Sequence, residues 1–147
     1  LIRVRAVHAA DKERWLELWN GYLTFYKNSL SEKQNELTWK RLLDPNYECH
    51  GLVAELDGDL VGITHYAFQT STWSPVGYCY LEDLFVDPKL RGQGAGRVLI
   101  DEVKRIAIAA GATRLYWNTD KDNETARKLY DSYGPEAGKV QYRIPLN

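Results

Sequence analysis

The chain has 147 residues, of which 19 are basic and 20 acidic, so its formal net charge is −1 at pH 7. This balance excludes a protein drawn by its overall charge to nucleic acid or to a membrane surface, and no apolar run approaches the roughly 18 residues that a membrane span needs. The length, a hydrophobic content of 44% and only two cysteines predict one domain over residues 1–147, with Cys49 and Cys79 reduced and the protein in the cytoplasm.

The predicted order begins with a strand and two helices. Alternating apolar and basic residues over 2–6 indicate a half-buried strand, and Asp11 is placed to cap the first helix. Ser31 and Gln34 have the spacing of a capping box and open a second helix, which stops before Pro45. The apolar face of the first helix consists of Trp15, Leu18, Trp19, Tyr22 and Tyr26.

A hairpin comes next. Residues 51–56 and 60–70 form two strands that flank Asp57-Gly58-Asp59, a sequence that favours a tight turn. His65 lies in the second of these strands, and no second metal-type ligand lies at a useful spacing from it. We therefore interpret His65 as a packing or surface residue and expect no metal site.

The central strand carries two acidic residues. Residues 80–86 are mostly apolar, but Glu82 and Asp83 interrupt them, and Asp87-Pro88 ends the run. Because successive side chains of a strand point to opposite faces, we expect Glu82 and Asp83 on opposite sides of the sheet.

A glycine-rich loop links this strand to an amphipathic helix. Gly92, Gly94 and Gly96 allow tight turns and a close approach of a ligand to the backbone, and the helix start offers unpaired N–H groups that suit a phosphate. A P-loop needs Lys and then Ser or Thr after its last glycine, and a dinucleotide fingerprint needs a third glycine where Arg97 stands. Both motifs fail, which disfavours a nucleotide-binding domain.

A strand, a helix and a last strand complete the order. The helix after the loop ends at Gly111, and residues 114–118 favour a further strand. Asn123 is placed to cap a helix on which Tyr130 lies two turns later. Residues 139–146 alternate charged and apolar side chains, which predicts a final strand with one wet face.

The pattern Arg91-x-x-Gly94-x-Gly96 after a strand that carries Glu82 resembles the acetyl-CoA loop of the GCN5-related N-acetyltransferases (GNAT). The order of elements is similar over nearly the whole chain. The chain looks closest to the small yeast histone and polyamine acetyltransferases and to the diamine acetyltransferases. Five stretches carry this likeness: Trp19-x-x-Tyr22-x-x-Phe25-Tyr26, Leu43-Asp44-Pro45, Thr72-Trp73, Tyr116-Trp117-x-Thr119-Asp120 and Leu129-Tyr130.

The resemblance implies a GNAT fold of the α/β (α+β) class. Its central mixed, mostly antiparallel twisted sheet has six to seven strands and is flanked by about four helices. It also implies that the protein is an enzyme with acetyl-CoA as its cofactor. The residues implied to bind that cofactor are Leu84, Phe85, Val86, Arg91, Gly92, Gln93, Gly94, Ala95, Gly96, Arg97 and Asn123.

Acetylation of an amine poses two proton problems. An alkylamine with a pKa near 10.4 is protonated at pH 7, and neutralising it costs about 4–5 kcal/mol, so a general base is needed. Glu82 is the candidate, with Asp83 or water as alternatives. The leaving thiolate also needs a proton, and the resemblance assigns that role to Tyr130. A phenol is a weaker acid than a thiol, by roughly 2 kcal/mol, so Tyr130 would offer a hydrogen bond that becomes proton donation late in the step.

The acceptor is left open at this stage. Acidic residues near the expected cleft suit a cation: a polyamine, a small amine, or the lysine side chain of a basic peptide. The alternative to an enzyme is a non-catalytic acyl-CoA-binding or regulatory module that kept the loop. We also expect a homodimer, because the alternating segment 139–146 and the many aromatic rings offer a sheet edge or an apolar surface, and we expect neither a nucleic acid nor a membrane partner.

Overall fold

A five-stranded sheet organises the computed structural model, which describes residues 1–147. The strands are β1 (Ile2–Ala6), β2 (His50–Leu56), β3 (Asp59–Gln69), β4 (Tyr78–Val86) and β5 (Leu115–Tyr116). They lie side by side in chain order. The first three pairs of neighbours are antiparallel, and β4 and β5 are parallel.

Four α-helices and two short 3₁₀ helices complete the described elements. The α-helices are α1 (Lys12–Phe25), α2 (Glu32–Leu42), α3 (Ala95–Ala110) and α4 (Glu124–Asp131), and the 3₁₀ helices are Ala9–Asp11 and Pro88–Leu90. The chain divides into two compact units, Leu1–Trp117 with the sheet and α1 to α3, and Asn118–Asn147 with α4. None of the helices is both long enough and apolar enough to cross a membrane.

The mixed, mostly antiparallel sheet is confirmed, but the expected six to seven strands are wrong. Five strands form, and β5 is shorter than the predicted 114–118. The predicted last strand over 139–146 does not form, and all of its residues are exposed. Alternation in a sequence says which side chains would share a face, whereas a strand also needs a hydrogen-bonded neighbour, and alternation by itself does not supply one.

The first unit has its main core between the sheet and the first two helices. The buried members of this core are Trp15, Leu18, Trp19, Leu23, Trp39, Leu42, Val53, Leu60, Ile63 and Phe85. Helix α1 approaches β4 closely at Gly21, where an added Cβ would lie 2.9 Å from Cε2 of Phe85. Helix α3 packs on β3 and β4 through a separate apolar face that buries Leu99 and Val103.

Local signals in the sequence account for several element boundaries. Asp57 and Gly58 have φ of 52° and 86°, the two left-handed residues of a tight hairpin turn. The Ser31 hydroxyl accepts a hydrogen bond from the Gln34 N–H at 3.0 Å, which confirms the predicted cap of α2.

Asp11 precedes α1 as predicted but does not cap it with its side chain. Its carboxylate instead accepts from the His8 N–H at 2.9 Å and pairs with the Arg5 guanidinium at 2.8 Å. The bond from Arg5 is the largest cause that lowers the pKa of Asp11. Asp11 therefore ties the start of α1 to strand β1.

Candidate active site

Strand β4 has a bulge at Glu82. His65 of β3 is paired with Asp83, but the next residue, Tyr66, is paired with Leu81, so Glu82 has no residue opposite it. A bulge interrupts the alternation of side chains and re-aims the residues beside it. The regular alternation from which we expected Glu82 and Asp83 on opposite faces is therefore absent at this point.

The two carboxylates act on the same neighbours. Burial raises the pKa of Tyr22 on α1, and the charge of Asp83, a hydrogen bond to it and the charge of Glu82 raise it further. Burial also raises the pKa of the Cys49 thiol, followed by the charges of Glu82 and Asp83. Both carboxylates therefore contribute negative charge beside α1, and the bulge removes the alternation on which the expectation of opposite faces depended.

Glu82 has the surroundings of a proton acceptor. The Glu82 side chain is exposed, yet the loss of hydration among its neighbours is the largest cause that raises its pKa; the like charge of Asp83 raises it further, against an opposing effect of His65. No hydrogen bond from the protein contributes to stabilising its charged form. A carboxylate with a raised pKa is a stronger base, so the environment of Glu82 fits the role predicted for it.

Asp83 differs from Glu82 because its carboxylate is held by the protein. Its Oδ2 lies 3.0 Å from Nδ1 of His65, and Nε2 of His65 lies 3.0 Å from the indole nitrogen of Trp15. The hydroxyl of Thr64 also donates to the Asp83 carbonyl oxygen at 2.7 Å. These bonds make Asp83 the less mobile of the two carboxylates.

His65 was missed as a site residue, and Trp15 was assigned only to the apolar face of α1. A lone strand histidine gives no signal of its own, and its contact with Asp83 depends on the register between β3 and β4. Nothing in the sequence specifies that register, because the bulge shifts it by one residue.

The outer edge of β4 is open beyond the bulge. Strand β5 pairs only with Cys79 and Tyr80, so the segment that contains Leu84, Phe85 and Val86 has β3 on one side and no strand of the sheet on the other. The side chain of Phe85 is buried in the core. An extended ligand arm at this edge would therefore contact mainly backbone groups.

The turn that leads into the glycine loop is fixed by an ion pair. Asp87 accepts from the Lys89 N–H at 3.0 Å and from the Arg14 guanidinium at 2.9 Å, and the bond from Arg14 is the largest cause that lowers the pKa of Asp87. Arg14 also donates to the Leu60 carbonyl at 3.0 Å. Arg14 thus connects α1, the start of β3 and the beginning of the loop.

Two of the three loop glycines have left-handed backbones. Gly92 and Gly94 have φ of 82° and 86°, a conformation that side chains with a Cβ rarely adopt, while an added Cβ would meet nothing within 4 Å at either position. Gly96 lies within α3 and has no such conformation, so the expectation that all three glycines turn the chain is correct for two. The space around Gly92 and Gly94 is open to a ligand.

The start of α3 suits an anion. Gly94 is its N-cap, no side chain caps it, and its first turn has no acidic residue. Arg91, Gln93 and Arg97 are exposed, whereas Ala95 is buried. Unpaired helix N–H groups with basic side chains nearby bind phosphate groups. The loop therefore suits a phosphate group, and its predicted contact with the pyrophosphate of acetyl-CoA stays a prediction.

A groove of about 470 Å³ runs beside this loop. It lies between α1 and the end of β4, with Leu18, Gly21, Phe25, Phe85 and Pro88 among its lining residues. Glu82 and Asp83 do not line it. The groove adjoins the loop turn and is separate from the two carboxylates.

Asn123 and Tyr130 belong to the second unit. The Asn123 side chain accepts from the Ala126 N–H at 3.2 Å, which confirms the predicted cap of α4. Tyr130 lies two turns later on α4 and is half-buried, as are Ala126 and Leu129 on the same helix and Tyr133 just after its end. The cofactor contact of Asn123 and the acid role of Tyr130 stay predictions.

Comparison with known proteins identifies relatives of this chain. The acetyltransferase (GNAT) family profile matches residues 13–134. The D-amino-acid N-acetyltransferase HPA3 of Saccharomyces cerevisiae is 33% identical over 144 residues, which are 97% of this chain and 89% of the yeast protein. The thialysine N-epsilon-acetyltransferase of Bos taurus is 36% identical over 100 residues, 63% of this chain and 57% of that protein.

Solved structures share the fold at lower sequence identity. An aminoglycoside N-acetyltransferase in complex with CoA matches with a TM-score of 0.85 at 17% identity, over 100% of this chain and 96% of that chain. The ribosomal-protein-alanine N-acetyltransferase of Brucella melitensis matches with a TM-score of 0.82 at 21% identity, over 99% of this chain and 100% of that chain.

Proposed function

The chain belongs to the acetyltransferase (GNAT) family, and from that premise we propose that it acetylates a small cationic amino compound by direct transfer, with Glu82 as the base. The protein is an N-acetyltransferase that uses acetyl-CoA as its acetyl donor. The acceptor and the roles of individual residues are the proposed parts.

Cofactor binding is assigned to the loop and the strand before it. Acetyl-CoA supplies an acetyl group activated as a thioester. The N–H groups of the loop from Arg91 to Gly96 bind its pyrophosphate, a role supported by the left-handed Gly92 and Gly94 and the uncapped α3. Backbone groups of Leu84 to Val86 bind the pantetheine arm along the open edge of β4.

The single observation that carries the proposal is the pair of carboxylates at the β4 bulge. Asp83 is held by His65, while Glu82 has a raised pKa and no hydrogen bond that stabilises its charge. An ammonium group is attracted to such a pair. Once it is bound, Glu82 takes its proton and leaves the neutral amine that can attack a carbonyl carbon.

Tyr130 is assigned as the proton donor to the leaving thiolate. Its support is its place on α4, two turns after the capping Asn123, where the family resemblance puts a general acid. Its phenol, being a weaker acid than a thiol, acts first as a hydrogen-bond donor.

The acceptor is proposed to be a small amino compound, since the yeast relative is named for D-amino acids and the bovine one for thialysine. The test is a panel of D-amino acids, lysine and thialysine, diamines, polyamines and a basic peptide, with release of CoA thiol as the readout. We expect the highest kcat/KM for a small amine. A basic peptide that exceeds every small amine would contradict the acceptor class. CoA binding without turnover on any amine would favour the non-catalytic alternative.

We also propose that the protein works in the cytoplasm as a homodimer, without nucleic acid or membrane partners. Cys49 and Cys79 are free thiols, and burial raises the pKa of Cys79 to about 11, as suits a structural thiol in a reducing compartment. Apolar side chains are exposed near the C-terminus at Val140, Tyr142, Ile144 and Leu146, and a second copy could cover them.

A further inference from the structure

A buried hydrogen-bond chain lies behind Asp83. The indole nitrogen of Trp15 and Nε2 of His65 are 3.0 Å apart, and Nδ1 of His65 and Oδ2 of Asp83 are also 3.0 Å apart. Trp15 is 1% exposed and His65 3% exposed. Neither residue can touch a substrate from such a position, so any role in the reaction has to pass through Asp83.

The hydrogen bonds from Trp15 through His65 to Asp83 can be donated in one direction only. An indole N–H donates and never accepts, so Nε2 of His65 must accept from Trp15. A ring nitrogen that accepts carries no proton, so the proton of the neutral imidazole is on Nδ1. Nδ1 then donates to the Asp83 carboxylate. Trp15 thus selects the tautomer of His65 that can hold Asp83.

We propose that His65 is a positioning residue of the acetyl transfer: with its tautomer set by Trp15, it holds the carboxylate of Asp83 as a fixed anion beside Glu82. The inference rests on the proposed function in one respect, the role of Glu82 as base. Its other part, the direction of the hydrogen-bond chain, stands independently of any activity.

The physical consequence is a base whose strength is set by its neighbour. A like charge nearby opposes ionisation of a carboxyl group and so makes its carboxylate more basic, and Asp83 has this effect on Glu82. The groups that face the two carboxylates are His65 on β3, Tyr22 on α1, and Cys49 before β2, with Glu48 and Arg41 also close to Cys49. The Asp83 carboxylate has two hydrogen-bond partners among these groups, His65 on the sheet and the Tyr22 hydroxyl on α1.

The first experiment reads the hydrogen-bond chain in the folded wild-type protein by ¹⁵N NMR. We expect a protonated Nδ1 and an unprotonated Nε2 for His65, with a scalar coupling across the hydrogen bond between Nε2 and the Trp15 indole nitrogen. Trp19 is the internal control, because its indole donates to the Asn35 side-chain oxygen and can show no such coupling. A His65 protonated on Nε2, as the other tautomer or as imidazolium, overturns the proposal.

The second experiment measures the pH profile of kcat/KM in two variants. His65→Leu removes the donor on β3 and leaves only the Tyr22 hydroxyl on α1, so Asp83 should be held less firmly beside Glu82 and the acidic limb should move to lower pH. In His65→Asn the amide N–H can take the place of Nδ1–H, so the limb should stay near that of wild type. A limb that moves to higher pH in His65→Leu would mean that His65 acts as a cation, and equal shifts in both variants would mean that only packing matters. Either result overturns the proposal.

Asp83→Asn guards against a His65→Leu protein that does not fold. It keeps the shape of the side chain and removes its charge, so its acidic limb should also move to lower pH, and an unmoved limb contradicts the proposal. A failure of the proposed function can be distinguished from a failure of this inference. If Glu82→Gln keeps the wild-type profile, Glu82 is not the base, while the NMR result still decides the arrangement of Trp15, His65 and Asp83.

Discussion

Individual side chains decide the chemistry at the β4 bulge. Glu82 and Asp83 are neighbours in sequence with opposite circumstances: Asp83 accepts a hydrogen bond from His65, and Glu82 has none that stabilises its charge. A carboxylate that is already bonded is a poorer proton acceptor than one that is not. This contrast favours Glu82 over Asp83 as the base, a choice that the sequence left open.

The first prediction concerns Glu82→Gln. The variant keeps the size of the side chain but cannot accept the amine proton, so kcat/KM should fall by roughly 10²–10⁴ at neutral pH. The loss should shrink as the pH rises, because a growing fraction of the amine is then already neutral. Glu36→Gln, on the exposed side of α2 where Glu36 pairs with Lys12, is the matched control. A Glu82→Gln profile that follows the wild-type curve would assign the base to Asp83 or to water.

The second prediction concerns Tyr130→Phe. The change keeps the ring on the half-buried face of α4 and deletes only the hydroxyl, so kcat should fall by roughly 10²–10⁴ while CoA affinity stays near that of wild type. Tyr133→Phe, at a half-buried tyrosine just after the end of α4, is the control and should keep its activity. Full kcat in Tyr130→Phe would make that tyrosine a packing residue.

At the scale of elements, the loop between β4 and α3 joins a rigid strand to a helix start. Asp87 fixes its first turn through Arg14, and Gly94 ends it in a left-handed conformation. Such a loop is ordered before a ligand arrives, which lowers the entropy lost on binding.

The third prediction follows from this loop. Gly94→Glu should weaken CoA binding sharply, because it adds bulk and a negative charge beside the pyrophosphate. The variant also strains a backbone with φ of 86°, and Gly58 in the β2–β3 turn has the same φ of 86°. Gly58→Glu is therefore a control matched for strain and charge, outside the glycine loop. Calorimetry should show lost affinity in the Gly94 variant alone, and equal affinity in the two folded variants would refute the loop assignment.

Sequence patterns predicted elements better than they predicted registers. The cap at Ser31, the turn at Asp57-Gly58 and the cap at Asn123 depend on residues close in sequence, and each was correct. The bulge at Glu82 depends on pairing with β3, which no local pattern contains. The segment 139–146 has the alternation of a strand, but pairing decides whether a strand forms.

The site was predictable to a similar depth. The loop glycines and Glu82 were predicted from spacing and from the family resemblance, and their roles stay predictions. The contact of His65 with Asp83 and Trp15 was not, because it joins residues 18 and 50 positions apart through the tertiary fold. The only sign of this contact in the sequence is a histidine without an assigned role in a mostly apolar strand.

At the scale of the whole molecule, the fourth prediction is a homodimer. Tyr142 and Leu146 are 92% and 91% exposed, and such apolar side chains favour burial against a partner. Sedimentation velocity at micromolar concentration should show a dimer, and Tyr142→Ser with Leu146→Ser should shift it toward monomer. A wild-type protein that sediments only as monomer would rule the dimer out.

Direct transfer is the central claim for the molecule as a whole. The thiol nearest to the two carboxylates is Cys49, whose pKa is raised by burial and by Glu82 and Asp83, so it stays protonated and is a poor nucleophile. An acetyl-enzyme on this thiol is therefore disfavoured.

The most direct test is initial-rate kinetics with the best amine of the panel, varying acetyl-CoA and amine together. Transfer within a complex of enzyme, acetyl-CoA and amine predicts double-reciprocal lines that intersect, with CoA release that requires the amine. Parallel lines, with a burst of thiol release before any amine is added, would reveal a covalent acetyl-enzyme. They would contradict direct transfer of the acetyl group to the amine.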